Sequence, residues 1–283
     1  MRPRGEDEAL GALADSFVFA PLGPFQAFAG LVRKSIAIAE LEVRKLRHDY
    51  YELISRAVQP VLWLLLFGEV LNRARIIPTG GIPYLDFMTP GILAQSVLFV
   101  AIFYGIGLIW ERDLGITNKL LVSPTPRASL VLGKALSAGI RSLSQAIIVY
   151  ILALLLGVKM SWNPLALAGA LAIVALGAAL FSTFSLMVAC LVKTRERFMG
   201  IGQVMTMPLF FASNAIYPIS LMPGWLRAIS HINPLSYEVD ALRSLVLKQG
   251  VSVFGLGTDF VVLLGVTAVL VMLGARLYPR VVA

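Results

Sequence analysis

The chain has 283 residues, 58% hydrophobic and 14% charged, with a formal net charge of +8 and a mean hydropathy of +0.82. Soluble domains run about 45–50% apolar and about 25% charged, so the composition excludes an ordinary water-soluble fold and points to lipid as the surrounding solvent. The single cysteine, Cys190, leaves no internal disulfide and no thiolate metal cluster, and its apolar neighbours mark it as an inert buried thiol.

Residues 1–27 read as a cytoplasmic tail. Arg2 and Arg4 precede an apolar patch as in a signal peptide, but Glu6, Asp7, Glu8, Pro21 and Pro24 argue against one. Over 28–50, Val32, Ile36, Ala39, Val43 and Leu46 recur at steps of four and three, while Arg33, Glu40, Arg44 and Arg47 line another side. An amphipathic helix lying on the inner membrane face is expected, its arginines near anionic headgroups. Residues 51–283 form the membrane domain. The expected class is an all-α integral membrane protein with six transmembrane helices near 53–71, 87–109, 129–156, 165–192, 198–217 and 260–275. The first contains Pro60 and needs Arg56 to snorkel to the interface.

Basic residues set the orientation. With the N-terminus inside, Arg33, Lys34, Arg44, Lys45, Arg47, Arg112, Lys119, Arg127, Lys193, Arg195 and Arg197 fall on the cytoplasmic side; Arg73, Arg75, Lys159, Arg227, Arg243 and Lys248 fall outside. Both termini are then cytoplasmic, in a multi-pass plasma-membrane protein. The positive charge is an orientation signal, so no nucleic-acid partner is called for.

Between spans two and three lies "WERDLGITNKLLVSPTPR", with Glu111, Arg112, Asp113, Lys119 and Arg127. Gly115 and the Pro124, Pro126 pair bracket a short helix over 116–122, whose apolar side carries Ile116, Leu120 and Leu121. Such a helix suits docking into a groove on another protein; equally, the charges can simply end span two in water. In span three, Lys134, Ser137, Arg141, Ser144 and Gln145 share one face. Arg141 lies ~18 Å from Ser129 at ~1.5 Å per residue, and charge at membrane depth is by default functional. A shallow Arg141 paired with Glu111 or facing a vestibule is expected; passage of an anionic headgroup past it is the sharper version. In span five, Gln203, Thr206 and Phe210, followed by Ser213 and Asn214, lie near one face with Met199, Met205, Met207 and Phe211 close by. They suit either a polyspecific pathway or helix packing. Between spans five and six, Pro223 and Gly224 open one short helix, Asn233 and Pro234 another over 235–247, with Asp240 and Arg243 spaced to pair. These read as outer or re-entrant helices.

The segment "ERDLGITNKLLVSPTPRASLVLGK" resembles the loop of ATP-binding-cassette type 2 permeases, the membrane subunits of exporters including the daunorubicin-resistance type, through Glu111, Arg112, Gly115, Leu120, Leu121, Pro124, Arg127, Gly133 and Lys134. A second block, "SNAIYPISLMPGWLRAISHINPLSYEVDALR", resembles the same family's segment before the last span, through Pro218, Pro223, Trp225, Leu226, Asn233, Pro234, Asp240 and Arg243. The resemblance implies a six-helix subunit that dimerises with a second copy or close paralogue and pairs with two copies of an ABC ATPase. It also implies that the helix after span two is a coupling helix, and that spans two and five line the conduit. The chain lacks a phosphate-binding loop, since Ala128 and Ala135 stand where the motif around Gly133–Lys134 needs glycine and a hydroxyl. ATP and magnesium are therefore expected on the partner, with no cofactor and no catalytic residue in this chain. Lipophilic drugs or lipids are the expected substrates, with polysaccharide or lipid-linked glycan as the alternative. An intramembrane enzyme, a secondary transporter and a non-transporting subunit fit less well, because no acid–base constellation or internal repeat is visible.

Overall fold

The computed structural model describes Glu40 and residues 50–115, 127–192 and 194–277; the expected inner-face helix, apart from Glu40, and the docking helix over 116–122 lie outside them. The described residues are almost wholly helical: α1 (Tyr50–Leu62), a π-helical stretch (Trp63–Gly68), α2 (Glu69–Ala74), α3 (Tyr84–Tyr104), α4 (Ile106–Asp113), α5 (Arg127–Leu155), α6 (Pro164–Leu191), α7 (Arg195–Phe211), α8 (Gly224–Ile232), α9 (Pro234–Val246) and α10 (Leu256–Leu277). Among them no strand forms; one isolated bridge joins Met160 to Leu247.

Among the described residues, four helices are long and apolar enough to cross a membrane: Tyr84–Asp113, Leu130–Leu155, Pro164–Leu191 and Leu256–Leu277. The other two expected spans are present as helices of a different character. The first runs from Tyr50 to Ala74 but contains Pro60, and its hydrogen bonds widen to the π pattern just beyond it. The fifth stops at Phe211 rather than continuing to 217. Pro208 weakens its last turn, and the freed carbonyls are taken by side chains: Ser213 Oγ donates to the Phe210 carbonyl (2.7 Å) and the Tyr217 hydroxyl to that of Phe211 (2.5 Å).

α3 is buried along almost its whole length from Tyr84 to Ile102, and α6 packs against α3, α5, α9 and α10. Small residues allow the close approach. Any Cβ on Gly91 would meet the backbone of Ala215 at 2.4 Å, so α3 and the turn after α7 touch backbone to side. Helix starts follow the sequence. Asn163 caps α6 by accepting from the Leu165 amide, with Pro164 at the first position, and Asn233 with Pro234 repeats the device at α9.

Asn233 does more than cap: its Nδ2 donates to the Leu209 carbonyl on α7 at 2.7 Å, while its Oδ1 accepts from the Leu235 amide at 3.0 Å. Asn233→Ala is expected to lower stability by about 1–3 kcal/mol. Asn233→Asp, which keeps the acceptor alone, should fall between the two in a thermal melt of the detergent-solubilised protein.

Candidate functional site

At the end of the bundle nearest residues 116–126, the last turn of α4 is tied to three other helices. Glu111 pairs with Lys134 on α5, and both side chains are largely buried. Asp113 Oδ2 accepts from Arg195 Nη2 (2.7 Å) and Nε (3.1 Å) at the start of α7. Arg112 Nη1 donates to the Val192 carbonyl just past α6 at 3.2 Å, and its Nη2 lies 3.6 Å from Asp113 Oδ1. The Arg195 guanidinium stacks 3.5 Å above the Trp110 ring. Asp113 and Arg195 keep 37% and 32% of their side-chain exposure, so water screens the pair and it adds little to stability. Its effect is on position: helix ends that share an ion pair and a stacked ring keep one relative geometry.

Beneath this clamp, α4 and the ends of α5, α6 and α7 bury Leu108, Ile109, Val131, Leu186, Ala189 and Phe198. Span two breaks at Gly105 between α3 and α4, and a Cβ there would collide with Ser185 Oγ and the Phe198 ring. Ser185 of α6 donates its hydroxyl to the Ile102 carbonyl that the break exposes. Gly115, two residues beyond Asp113, takes a left-handed conformation at φ 70°. Ile116, Leu120, Leu121 and Pro124 lie outside the described residues.

Glu111 Oε1 pairs with Lys134, and the Arg141 guanidinium lies 5.5 Å from the Tyr104 ring. On α7, Thr206 and Phe210 face inward, with Gly202 set against Ile102 and Phe103 of α3. Ser213 and Asn214 are buried too, whereas Gln203 is exposed. A large apolar cavity of about 890 Å³ opens on the other side of α7, among α6, α8 and α10. Its wall includes Phe181, Met205, Phe211, Trp225 and Leu270 rather than the polar residues expected from the sequence. The difference follows from helical phase: residues 202, 206 and 210 are four apart and form the packing stripe, so the flanking Met and Phe residues face the cavity. α3 is buried within the protomer, so little of it is left to line a conduit.

The segment between α7 and α10 is held by buried polar groups. Asp240 Oδ2 accepts from the amides of Val253 (2.7 Å) and Phe254 (2.9 Å) and from Ser252 Oγ (2.8 Å), which fixes the turn entering α10. Arg243 is not hydrogen-bonded to Asp240: its Nη2 donates to the Asn214 carbonyl at 2.7 Å and its guanidinium lies 3.9 Å over the Phe87 ring. The expected i, i+3 pair is thus divided between two neighbours. Burial lowers the Arg243 pKa to about 10, with Asp240 acting in the opposite sense. Pro218 leads into a 3₁₀ turn at Ile219–Leu221, Pro223 precedes α8, and Trp225 is exposed on α8. Glu238, which the sequence reading passed over, is fully buried against Gly177 of α6 with neither carboxyl oxygen hydrogen-bonded. Burial pushes its carboxyl well above the usual range. Nothing in the local pattern of α9 marks Glu238 except its neighbours' burial, and Asp113 and Arg195, 82 positions apart, have no sequence signal linking them.

Several helices of membrane-crossing length and apolarity mark a multi-pass membrane protein. Residues 34–247 match the model of the ABC-2 type transporter family, and the chain belongs to that family. The ycf38 protein of Cyanophora paradoxa, named as a transport permease, is 32% identical over 197 residues, covering 68% of this chain and 67% of that one. The daunorubicin resistance ABC transporter permease protein DrrB1 of Streptomyces coeruleorubidus is 27% identical over 233 residues, covering 82% and 81%. Nodulation protein J of Sinorhizobium fredii is 25% identical over 199 residues, covering 70% and 74%. The chain is therefore the transmembrane permease subunit of an ABC transporter, in a family that has no ATPase site of its own and works with an ABC ATPase.

Two measurements check these local assignments. Glu111→Lys or Lys134→Glu alone should lower the melting temperature and nucleotide-driven transport, by roughly tenfold in rate for a cost of about 1–2 kcal/mol; the double exchange should recover most of both. Glu238→Gln should melt higher than the native protein at alkaline pH. An elevated folded-state pKa means that ionisation costs folding energy once pH rises above the ordinary value of 4.5, so the advantage of glutamine shrinks as pH falls toward that value.

Proposed function

We propose that this chain is the membrane subunit of an ATP-driven exporter that moves lipophilic drugs or lipids out of the cytoplasm or inner leaflet. It works as a homodimer, or with a close paralogue, in the plasma membrane, with both termini cytoplasmic. Tyr50–Ala74 and Arg195–Phe211 complete six spans, and α8 and α9 form the outer or re-entrant segment. Two copies of a separate ATPase hold ATP and magnesium. Its closure pushes on the helix over 116–122, seated through Ile116, Leu120 and Leu121, and the push passes through Glu111, Arg112 and Asp113 into four helices.

The observation that carries this reading is the clamp. Helix ends joined by Glu111–Lys134 and Asp113–Arg195 respond to a load on the intervening loop together rather than singly. The substrate class is supported by the apolar cavity, which is in the size range of drug-sized sites at about 300–1,000 Å³. Asn233 and Tyr217 in its lining are already hydrogen-bonded to backbone carbonyls, so an apolar guest strands neither. The name of the Streptomyces relative points the same way.

The test is ATP hydrolysis and drug export by the permease–ATPase complex in proteoliposomes. Replacing both Leu120 and Leu121 by Asp is expected to reduce drug-stimulated hydrolysis at least about tenfold, since two apolar anchors are lost. An ATPase that fails to associate with the native permease, or a variant with native coupling, contradicts the reading.

A further inference from the structure

The apolar cavity ends on a seam between two antiparallel helices. Glu238 of α9 lies against Gly177 of α6, and further along the same pair Leu245 lies against Gly169. That register sets Pro234, one turn back on α9, level with Phe181, one turn on along α6, and both of these line the cavity. The Glu238 backbone is therefore only about 6 Å along its helix from the cavity wall. Its side chain is 0% exposed, and neither carboxyl oxygen has a hydrogen-bond partner. Gly177 makes the seat, since a Cβ there would collide with the carboxyl.

A buried acid without a donor or a cation is costly, and the charged groups around it are committed elsewhere. Asp240 accepts from the Val253 and Phe254 amides, and Arg243 donates to the Asn214 carbonyl and lies over Phe87 of α3. Asp259 of α10 is hydrogen-bonded to Ser252, Asp86 of α3 lies beside Lys159, and α6 carries no charged residue from Pro164 to Leu191. Glu238 is thus the acid of this seam without a partner. The cavity supplies what an acid alone lacks. Its lining holds no Lys, Arg, Asp or Glu, while Phe181, Phe184, Phe211, Tyr217 and Trp225 offer aromatic faces that stack on flat rings and attract cations. An acid at the end of an aromatic cavity is complementary to a bulky apolar body that carries a basic nitrogen.

We propose that the cavity and Glu238 form one site for a lipophilic amine, its ring system against the aromatic wall and its ammonium on the Glu238 carboxylate. The proposal rests on the export reading, in which the cavity holds the substrate, and narrows that substrate to basic amphiphiles. Binding is an exchange of cations. Burial holds the Glu238 carboxyl well above the usual range, so it is protonated before the guest arrives. On binding, its O–H bond breaks, the proton leaves to water and the guest's ammonium takes its place, so the buried site carries no net charge before or after. The side chain meets the guest by rotating out of the Gly177 notch about its own χ bonds, and no hydrogen bond has to break for it to do so.

The experiment compares two ligands that share one ring system: imipramine, a tricyclic tertiary amine, and iminodibenzyl, its uncharged parent. Binding of each radiolabelled compound is measured to the full chain in phosphatidylcholine vesicles, with protein-free vesicles subtracted. The native protein is expected to prefer imipramine, Glu238→Gln to reduce that preference about tenfold, and Glu238→Asp to keep part of it. In a weakly buffered medium at neutral pH, imipramine binding to the native protein should release about one proton per guest, a readout that needs no variant to fold. Equal binding of the two ligands by the native protein, an unchanged preference in Glu238→Gln, or binding without proton release overturns the proposal. No binding of either compound overturns the cavity as the substrate site, and this proposal with it. Because the assay contains no ATPase, its failure is distinct from a failure of coupling.

Discussion

Four helix ends meet around three consecutive residues, Glu111, Arg112 and Asp113, and each contacts a different neighbour: Lys134 on α5, the Val192 carbonyl beyond α6, and Arg195 on α7. That arrangement gives the polar loop a mechanical meaning. A chain of apolar contacts alone would let the helices slide, since lipid tails solvate Leu and Val as well as a neighbouring helix does. Directional charge pairs fix the register of the helices, and in the Asp113–Arg195 pair water still limits the desolvation cost. The break at Gly105, packed against Ser185 and Phe198, separates the clamped segment from the buried α3.

The opposite end obeys a different rule. Polar groups there are buried, and several are matched to backbone: Asp240 to the Val253 and Phe254 amides, Arg243 to the Asn214 carbonyl, Asn233 to Leu209 and Leu235. Glu238 stands apart, buried without a hydrogen bond and held against Gly177. The segment between α7 and α10 thus packs through α9 against α3, α6 and α10, while α8 flanks it along the apolar cavity.

Much of this was legible in the sequence. Composition and apolar run length place four spans, and Asn163–Pro164 and Asn233–Pro234 announce two helix starts through a side-chain cap followed by a residue with no amide to satisfy. The first and fifth spans are less legible because Pro60, Glu69 and Arg73, or Arg195, Glu196 and Arg197, dilute the apolar signal that identifies a spanning helix. The site is legible only in part. Glu111, Arg112 and Asp113 declare themselves as charges beside an apolar run, but their partners come from distant positions such as Lys134 and Arg195. On α7 the stripe suits either a pathway or packing, because periodicity shows which residues share a face but not which neighbour that face meets; in the structure Thr206 and Phe210 are buried. Membership of the ABC-2 type transporter family then joins the clamp to a known class of machine.

The most direct test of the account is whether the clamped helices move as one body. With Cys190 replaced by Ala and cysteines at the exposed positions Leu114 and Leu191 carrying spin labels, pulsed dipolar spectroscopy of the permease–ATPase complex can compare the nucleotide-free state with an ATP-trapped one. The account predicts an unchanged distance between the two labels within a protomer, together with a changed distance between Leu114 labels on the two protomers. A distance within the protomer that shifts as much as the one between protomers would contradict it.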